Sequence, residues 1–380
     1  MPTIFTEPNP SATVETLKAY AAGRPDPLKR SNKIEGIRRL WHDYKSENFY
    51  LEGCLAAALK AVGDTTIPVV EGCPDFDYAF LIALSGTLFT QTYGDGNNDG
   101  MANALGHRAL PHMFGSLGRS YIYIDRETIA SQPALAMEAI KAAIDKGVPV
   151  ISRHTTNWPR NDHAESHYTE WCVIGGYDED GTLYANVYYD NVIVDEHGYC
   201  MVKDGVVGSD GLYILGERVC DVEAADLFKQ AVRAIPFLVT QPSREGVSFG
   251  RQAYYDWADG LLDDAKWANT GGGDPYGGFI WPGHHAPWIV TLTNECYMRL
   301  YFGRMAEHFG AGEEATKVRD IYMKIYARIP EIQRIQDSWL FADPAVIAKP
   351  EVRKQIAAIL REMGDLHGEL LALFQLTSTN

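Results

Sequence analysis

Cys54 is the residue whose type and position promise the most chemistry, because it stands in Gly53-Cys54-Leu55 near the start of a predicted helix. A thiol attacks a carbonyl only as thiolate, and a nearby imidazole or the free N–H groups of a helix start lower its pKa from about 8.5. The same N–H groups can bind the oxyanion of an acyl intermediate. A plain core position is the competing interpretation, since cysteine is among the most buried residue types.

Candidate proton-transfer groups follow in a polar stretch that contains His154, His163 and His167, with Glu170 just after it. Any of these can serve as a general acid or base if it comes near the thiol. A carboxylate beside a thiol raises the thiol pKa, however, because two like charges repel. Glu170 therefore cannot replace an imidazolium as an ion-pair partner, although burial could raise its own pKa into the range of a general base.

Metal and serine chemistry find little support in the motifs. The histidines form no H-E-x-x-H motif, and the loop that begins at Asp95 starts like a calcium loop but has Gly106 where a bidentate Glu is required. Ser85 misses the G-x-S-x-G elbow of serine hydrolases because Ala83 replaces the first glycine. We therefore expect no metal and no other cofactor, and we keep Ser85 only as a substrate-binding candidate.

Hydrophobic periodicity and turn residues predict the elements that must position these groups. Residues 34–44 and 49–62 have helical spacing, and Gly63 ends the second of these helices. Residues 178–181 have the composition of a hairpin turn, with a glycine where a positive φ is needed. Residues 78–89 form a segment that is apolar enough to be buried. Strands are predicted over residues 120–124, 148–152, 170–177, 182–189, 192–194, 200–202 and 211–215, and further helices over residues 134–145, 222–234, 249–263, 290–309, 313–329 and 351–374.

This order of elements predicts an α+β fold with a helical C-terminal part. Residues 1–240 combine helices with one mixed or antiparallel sheet, and residues 241–380 are mainly helical. We expect the second part to pack on the first, with a boundary near residue 240.

The charge and the cysteine content limit the partners and the location. The chain of 380 residues has 50 acidic and 34 basic side chains, which gives a net charge of −16. A field of that sign repels phosphate backbones and anionic lipids, so neither nucleic acid nor a membrane is expected as a partner. The six cysteines are too sparse for a disulfide framework and indicate a reducing, cytoplasmic location.

Four segments together resemble the butirosin-biosynthesis acyltransferase-like proteins, which are similar in turn to the C39-type, papain-like cysteine peptidases. The match spans roughly residues 45–190. The segments are Gly53-Cys54-Leu55-Ala56-Ala57-Ala58-Leu59, Asp77-Tyr78-Ala79-Phe80-Leu81 with Leu84-Ser85-Gly86-Thr87-Leu88-Phe89, Ile144-Asp145-Lys146-Gly147-Val148-Pro149-Val150-Ile151, and Cys172-Val173-Ile174-Gly175-Gly176-Tyr177-Asp178-Glu179.

The resemblance implies a papain-like fold in which Cys54 is the nucleophile on the first long buried helix. In the peptidases a histidine directly precedes the strand that runs into Gly-Tyr-Asp, whereas this chain has Glu170 at that position. The resemblance therefore implies Glu170 or His167 as the group that moves the proton, and Asn186 on the next strand as a candidate orienter.

Strand alternation predicts toward which face of the strand each of these side chains points. Glu170, Cys172 and Ile174 share one face of their strand, which we expect to look toward the helix of Cys54, while Trp171 takes the other face. Trp171 and Asn186 join Ser85 as substrate-binding candidates.

These observations predict a cytoplasmic enzyme that uses Cys54 to transfer or hydrolyse an acyl group on a small molecule of specialised metabolism. A carrier-protein-bound acyl donor is one option for the donor substrate, and an oligomer is compatible with the sequence. Two alternatives stay open: a papain-like protein without catalysis that binds a small molecule or peptide, and a different enzyme on the same scaffold that uses Glu170 as general base.

Overall fold

The structure, a computed structural model, describes residues 9–25, 28–40, 48–94, 104–157, 167–188, 193–202, 205–268 and 278–377. Its contacts divide the chain into two compact units. Unit 1 consists of Met1–His42, Tyr50–Pro68 and His107–Val222, and unit 2 consists of Asp43–Phe49, Val69–Gly106 and Glu223–Asn380. The division at residue 240 stays a prediction.

The helices and strands are numbered here in chain order. The helices are α1 (Val14–Ala22), α2 (Tyr50–Ala61), α3 (Phe76–Leu84), α4 (Ala109–Ser116), α5 (Arg126–Ser131), α6 (Pro133–Asp145), α7 (Ala224–Val239), α8 (Gly250–Leu262), α9 (Ala286–Tyr297), α10 (Gly303–His308), α11 (Gly312–Tyr326), α12 (Ile329–Ile335), α13 (Pro344–Ile347) and α14 (Pro350–Thr377). The strands are β1 (Asn32–Lys33), β2 (Thr92–Gly94), β3 (Arg119–Asp125), β4 (Val150–Asn157), β5 (His167–Tyr177), β6 (Leu183–Asn186), β7 (Cys200–Val202), β8 (Ser209–Arg218) and β9 (Val247–Phe249).

Unit 1 combines helices with an antiparallel sheet, which confirms the α+β class. Within the described part of the chain the strands follow the order β3-β8-β4-β5-β6-β7, and β1 pairs with β5. All of these pairs are antiparallel. The predicted hairpin joins β5 to β6: Gly181 has a φ of 89°, and the Asp178 N–H donates to the Thr182 carbonyl at 2.9 Å.

Helices α1 and α6 cover one face of the sheet. Leu17 of α1 and Ile140 of α6 share a buried hydrophobic cluster with Val150, Cys172 and Leu212 of three neighbouring strands. Paired residues of an antiparallel ladder point to the same side, and side chains alternate along each strand. The even-numbered positions of β4 and of the paired part of β5 therefore face α1 and α6.

Helix α2 covers the opposite face. It lies against β4 and β5, yet all of α2 is described and none of its residues belongs to the cluster on the α6 side. Every residue from Leu51 to Leu59 is buried, and all of them except Glu52 are non-polar, as is typical of a helix that is covered on all sides. The helix ends as predicted, with Gly63 at a φ of 67° and the Asp64 N–H bonded to the Leu59 carbonyl at 2.9 Å.

The helix predicted over residues 34–44 is wrong for the part that the structure describes. Asn32 and Lys33 form β1, and the Ile34 N–H donates to the Gly175 carbonyl of β5 at 2.8 Å. Residues 34–40 are not helical, and residues 41–47 lie outside the described part. Hydrogen bonds to the sheet replace the local ones of a helix here, so tertiary context overrides the helical spacing.

Unit 2 is mainly helical, and β2 and β9 form a two-stranded antiparallel ladder within it. Large aromatic side chains fill its core, among them the fully buried Trp257 of α8 and Trp288 of α9. The helices predicted over residues 249–263, 313–329 and 351–374 are confirmed as α8, α11 and α14. The predicted helix 290–309 is divided, because a π-helical turn at Met298–Phe302 separates α9 from α10.

Candidate functional site

Cys54 is the fifth residue of α2, and its side chain is fully buried. The free N–H groups of an α-helix belong to its first turn, and later N–H groups bond to the carbonyl four residues back. The N–H of Cys54 therefore belongs to the helical ladder, and the first turn of α2, residues 50–52, precedes it. An oxyanion hole formed by the N–H groups at the helix start stays a prediction.

The start of α2 is fixed by aromatic packing. The rings of Tyr50 and Tyr188 stack with centroids 4.6 Å apart, and the Tyr188 hydroxyl donates to the Tyr50 carbonyl at 3.1 Å. Glu52, one turn into the helix, is fully buried two residues before Cys54. This buried carboxyl group is a titratable group that the sequence analysis did not select.

Glu170 lies on the face of the sheet that α1 and α6 cover. It pairs with His154 across the β4–β5 ladder, two residues from Cys172, which is part of the cluster on that side. The predicted sharing of one face by Glu170 and Cys172 therefore fits, but the expected direction toward the Cys54 helix does not, because α2 packs on the other face. The role of Glu170 in catalysis stays a prediction.

A buried polar cluster surrounds Glu170 on this face. The Nδ1 atom of His154 is 2.9 Å from the Ser209 hydroxyl, which in turn is 3.1 Å from the Ser152 hydroxyl. His154, Ser152 and Ser209 are all buried. The sequence offered no signal for Ser209, since Gly208-Ser209-Asp210-Gly211 has the composition of a turn.

Cys172 belongs to the same cluster but is not a second nucleophile. Burial raises the pKa of its thiol far above the usual range; Cys200 raises it further, a hydrogen bond with Ser152 opposes the shift, and Glu170 adds to it. Burial likewise raises the pKa of the Cys200 thiol to about 12. Both sulfurs therefore stay protonated near neutral pH.

The face that α2 covers carries Trp171 and Asn186. Trp171 is buried, and its ring meets the His107 ring edge-on at 5.2 Å. The Asn186 amide is fully occupied by backbone: its Oδ1 accepts from the Leu40 N–H at 3.2 Å, and its Nδ2 donates to the Arg38 carbonyl at 2.6 Å. These two bonds give Asn186 a definite structural role, and its assignment as orienter or substrate ligand stays a prediction.

His167 and His163 differ in how far the structure describes them. His167 is the first residue of β5 and pairs with Asn157 of β4. His163 lies outside the described residues, as do Asp95, Asn97 and Asp99 of the loop that begins like a calcium site. The choice among the three loop histidines therefore stays a prediction.

Ser85 belongs to unit 2, where it caps the C-terminus of α3. Its buried hydroxyl donates to the Ile82 carbonyl at 3.2 Å and lies 3.0 Å from the Thr87 hydroxyl, from which it can accept. Gly86 follows at a φ of 86°, and a Cβ there would stand 2.8 Å from Leu238 Cδ1. These contacts give the Ser85-Gly86 pair a turn-forming role, and substrate binding by Ser85 stays a prediction.

Within the part of the chain that the structure describes, no group of three or more His, Cys, Asp or Glu residues is arranged to hold a metal ion, and no helix is long and apolar enough to cross a membrane.

Four residues near the two sheet faces were missed by sequence reasoning: Glu52, His107, Ser209 and Asp210. Glu52 interrupts an apolar run, which is a readable signal, whereas the other three acquire their neighbours only through strand pairing.

A scan against protein-family models and a search of curated proteins each find no match to this chain.

Proposed function

We propose that this chain is a papain-like cysteine enzyme that transfers or hydrolyses an acyl group on a small molecule, with Cys54 as its nucleophile. The observation that carries the proposal is the packing of α2, the buried helix of Cys54, along the antiparallel strands β4 and β5. A papain-like enzyme needs a thiol on a buried helix and a neighbouring sheet that supplies the proton acceptor. The four-segment resemblance supports the same scaffold.

The chemistry has two steps. Cys54 Sγ gives its proton to a base and attacks the carbonyl carbon, so that a C–S bond forms; the bond to the leaving group then breaks, and the leaving group takes up the proton. Water or an acceptor amine or alcohol next attacks the thioester and passes its proton to the same base. The C–S bond breaks, and the sulfur recovers its proton.

An imidazole suits this proton transfer better than Glu170. A carboxylate next to the sulfur opposes thiolate formation, and Glu170 occupies the α6 face of the sheet. Counted along β5, Glu170 is an odd number of residues from Trp171, whereas His167 is an even number away. Of the two predicted residues, His167 is the one that carries an imidazole.

Alkylation of the native protein tests whether Cys54 is a nucleophile. Iodoacetamide is applied across a pH series, and each cysteine peptide is quantified by mass spectrometry. We expect Cys54 to react well below pH 8, where an ordinary thiol is mostly protonated. Cys172 and Cys200, equally buried, are the matched controls and should react only after unfolding, whereas exposed Cys220 should react in the folded protein. A Cys54 peptide as inert as that of Cys172 contradicts the proposal.

An activated ester separates catalysis from mere reactivity. p-Nitrophenyl acetate should release nitrophenolate and leave one acetyl group on Cys54, which then hydrolyses. The Cys54→Ala variant should lose both the burst and the acetylated peptide, while Cys172→Ala keeps them. A protein that alkylates at Cys54 but never acetylates there fits the non-catalytic binding alternative instead.

The polar cluster on the α6 face favours a second candidate, an enzyme that uses Glu170 as base. Glu170 stands opposite His154, whose ring contacts the Ser209 hydroxyl at 2.9 Å. In that case ester cleavage should survive in Cys54→Ala and fall in Glu170→Gln. The acetylated peptide would then contain Ser209 rather than Cys54.

A further inference from the structure

We infer that His107, oriented by Asp210, is the acid–base residue that serves Cys54. This inference rests on the proposed function and names a residue for its proton transfer. Neither residue was selected from the sequence, and both belong to unit 1. The inference rests on a strand irregularity, a glycine that makes room for the ring, and a buried imidazole that faces a carboxylate.

A β-bulge puts Asp210 into position. In the β4–β8 ladder Arg153 pairs with Gly211, but the next pair is His154 with Ser209, so Asp210 is the extra residue. A bulge re-aims the side chain of the extra residue and is often found beside functional sites. Here it keeps Ser209 opposite His154 on the α6 face and frees the Asp210 carboxylate to stand 3.7 Å from His107 Nε2.

Gly211 provides the space for the His107 ring. A Cβ at this position would lie 2.6 Å from His107 Cε1 and 3.0 Å from His107 Nδ1, closer than real Cβ contacts allow. The imidazole thus lies directly over the backbone of β8. Its ring centroid is 5.2 Å from Trp171, 5.5 Å from Tyr123 and 5.8 Å from Tyr213.

These aromatic neighbours assign His107 to the α2 face of the sheet. Trp171 pairs with Arg153 and Gly211 across three strands, one residue out of phase with the Cys172 row of the α6 face. Tyr213 pairs with Tyr123 and Ile151 in the next row. His107 therefore packs on the same side of the sheet as the helix of Cys54, whereas His154 packs on the other side.

Both nitrogens of the His107 ring are buried. Nε2 faces the Asp210 carboxylate at 3.7 Å, longer than an ordinary hydrogen bond, and Nδ1 has no hydrogen-bond partner among the described residues. Because a buried polar atom without a partner is unfavourable, this imidazole is suited to exchange a proton with another group.

Charged groups around His107 and Asp210 support the assignment of Asp210 as the residue that orients the imidazole. The His107 ring is the largest cause that lowers the pKa of Asp210; burial opposes the shift, and Arg153 and Arg126 lower the pKa further. Arg153 Nη1 is 3.4 Å and Arg126 Nη1 is 3.7 Å from the Asp210 carboxylate. Asp210 thus stays ionised and can stabilise the imidazolium that forms when His107 takes the thiol proton, so it acts as a positioning residue.

The test uses the alkylation series on the full chain with three variants. His107→Asn should move the pH midpoint of Cys54 alkylation up by at least about one unit, toward the ordinary thiol value, which is about a tenfold slower reaction near neutral pH. Asp210→Asn should give a smaller shift in the same direction, because the ring remains. His112→Asn, in helix α4 directly after the His107 turn, is the matched control and should leave the midpoint unchanged.

A fourth variant distinguishes misfolding from the loss of the imidazole contact. Gly211→Ala keeps His107 but presses its ring away from β8, so it should reproduce the slower alkylation of His107→Asn while circular dichroism stays that of the native chain.

The possible outcomes separate the two proposals. Cys54 that reacts below pH 8 in the parent protein and equally in His107→Asn overturns this inference and leaves the proposed function standing; a shift in His167→Asn alone would then assign the proton transfer to β5. Cys54 that is inert in the parent protein overturns the proposed function and this inference with it.

Discussion

Acid should destabilise unit 2 through a histidine that the fold keeps neutral. His284 is fully buried in the π-helical turn Trp281–His285, and its Nε2 is 2.8 Å from Gln336 Oε1. Gln336 Nε2 donates to the carbonyls of Ser338 and Leu340, so Oε1 is the acceptor and His284 carries its proton on Nε2. The ring is therefore a neutral imidazole with a defined tautomer.

Burial lowers the pKa of His284 from 6.5 to about 3; the neighbouring His285 lowers it as well, and the bond to Gln336 opposes the shift. A histidine whose folded-state pKa is depressed contributes stability that is present above the unfolded-state value and is lost as the pH falls toward the folded-state value. Below pH 6.5 the unfolded chain binds a proton that the folded chain does not. At about pH 5 this single group therefore removes about 2 kcal/mol of unfolding free energy.

Urea unfolding of the parent protein and His284→Gln, at about pH 7.5 and about pH 5, checks this value. The variant keeps a donor for Gln336 but cannot take up the proton, so its loss of stability on acidification should be smaller than that of the parent by about 2 kcal/mol. Exposed His308→Gln is the control and should show the full loss. Equal pH dependence in the parent and His284→Gln would refute the reasoning, whatever the absolute stabilities are.

Two further predictions concern unit 1. Asn186→Ala removes the hydrogen bonds to the Leu40 N–H and to the Arg38 carbonyl. We expect the unfolding free energy measured in urea to fall by about 2–4 kcal/mol, because both backbone groups lose this partner. Exposed Gln355→Ala is the control and should change nothing measurable. Asp64→Asn breaks the ion pairs with Arg119 and Arg218. Burial alone would raise the pKa of Asp64, but the Thr66 N–H and hydroxyl and Arg119 lower it, so the pKa of the folded chain lies below its usual value. The difference in unfolding free energy between parent and variant should therefore be largest above about pH 4 and shrink at lower pH. A difference that persists undiminished at about pH 2 would contradict the charge-based explanation.

Much of the secondary structure follows from local sequence. Gly63 and Gly181 end a helix and shape a hairpin because each adopts a positive φ that other residues avoid. The apolar stretch of α2 and the alternation along β5 follow from side-chain chemistry alone. The segment after Asn32 is the counterexample, since its helical spacing gives way to hydrogen bonds with β5 and with Asn186.

The sequence by itself determined that Cys54 lies on a buried helix and that Glu170 and Cys172 share one strand face. Only the tertiary structure decided that this face belongs to α6 rather than to α2. It also brought together His107 and Asp210, which are more than one hundred positions apart, through a one-residue bulge in β8. Strand alternation is a local property, whereas the side on which a helix packs and the register of a ladder depend on distant segments, so no local pattern contains them.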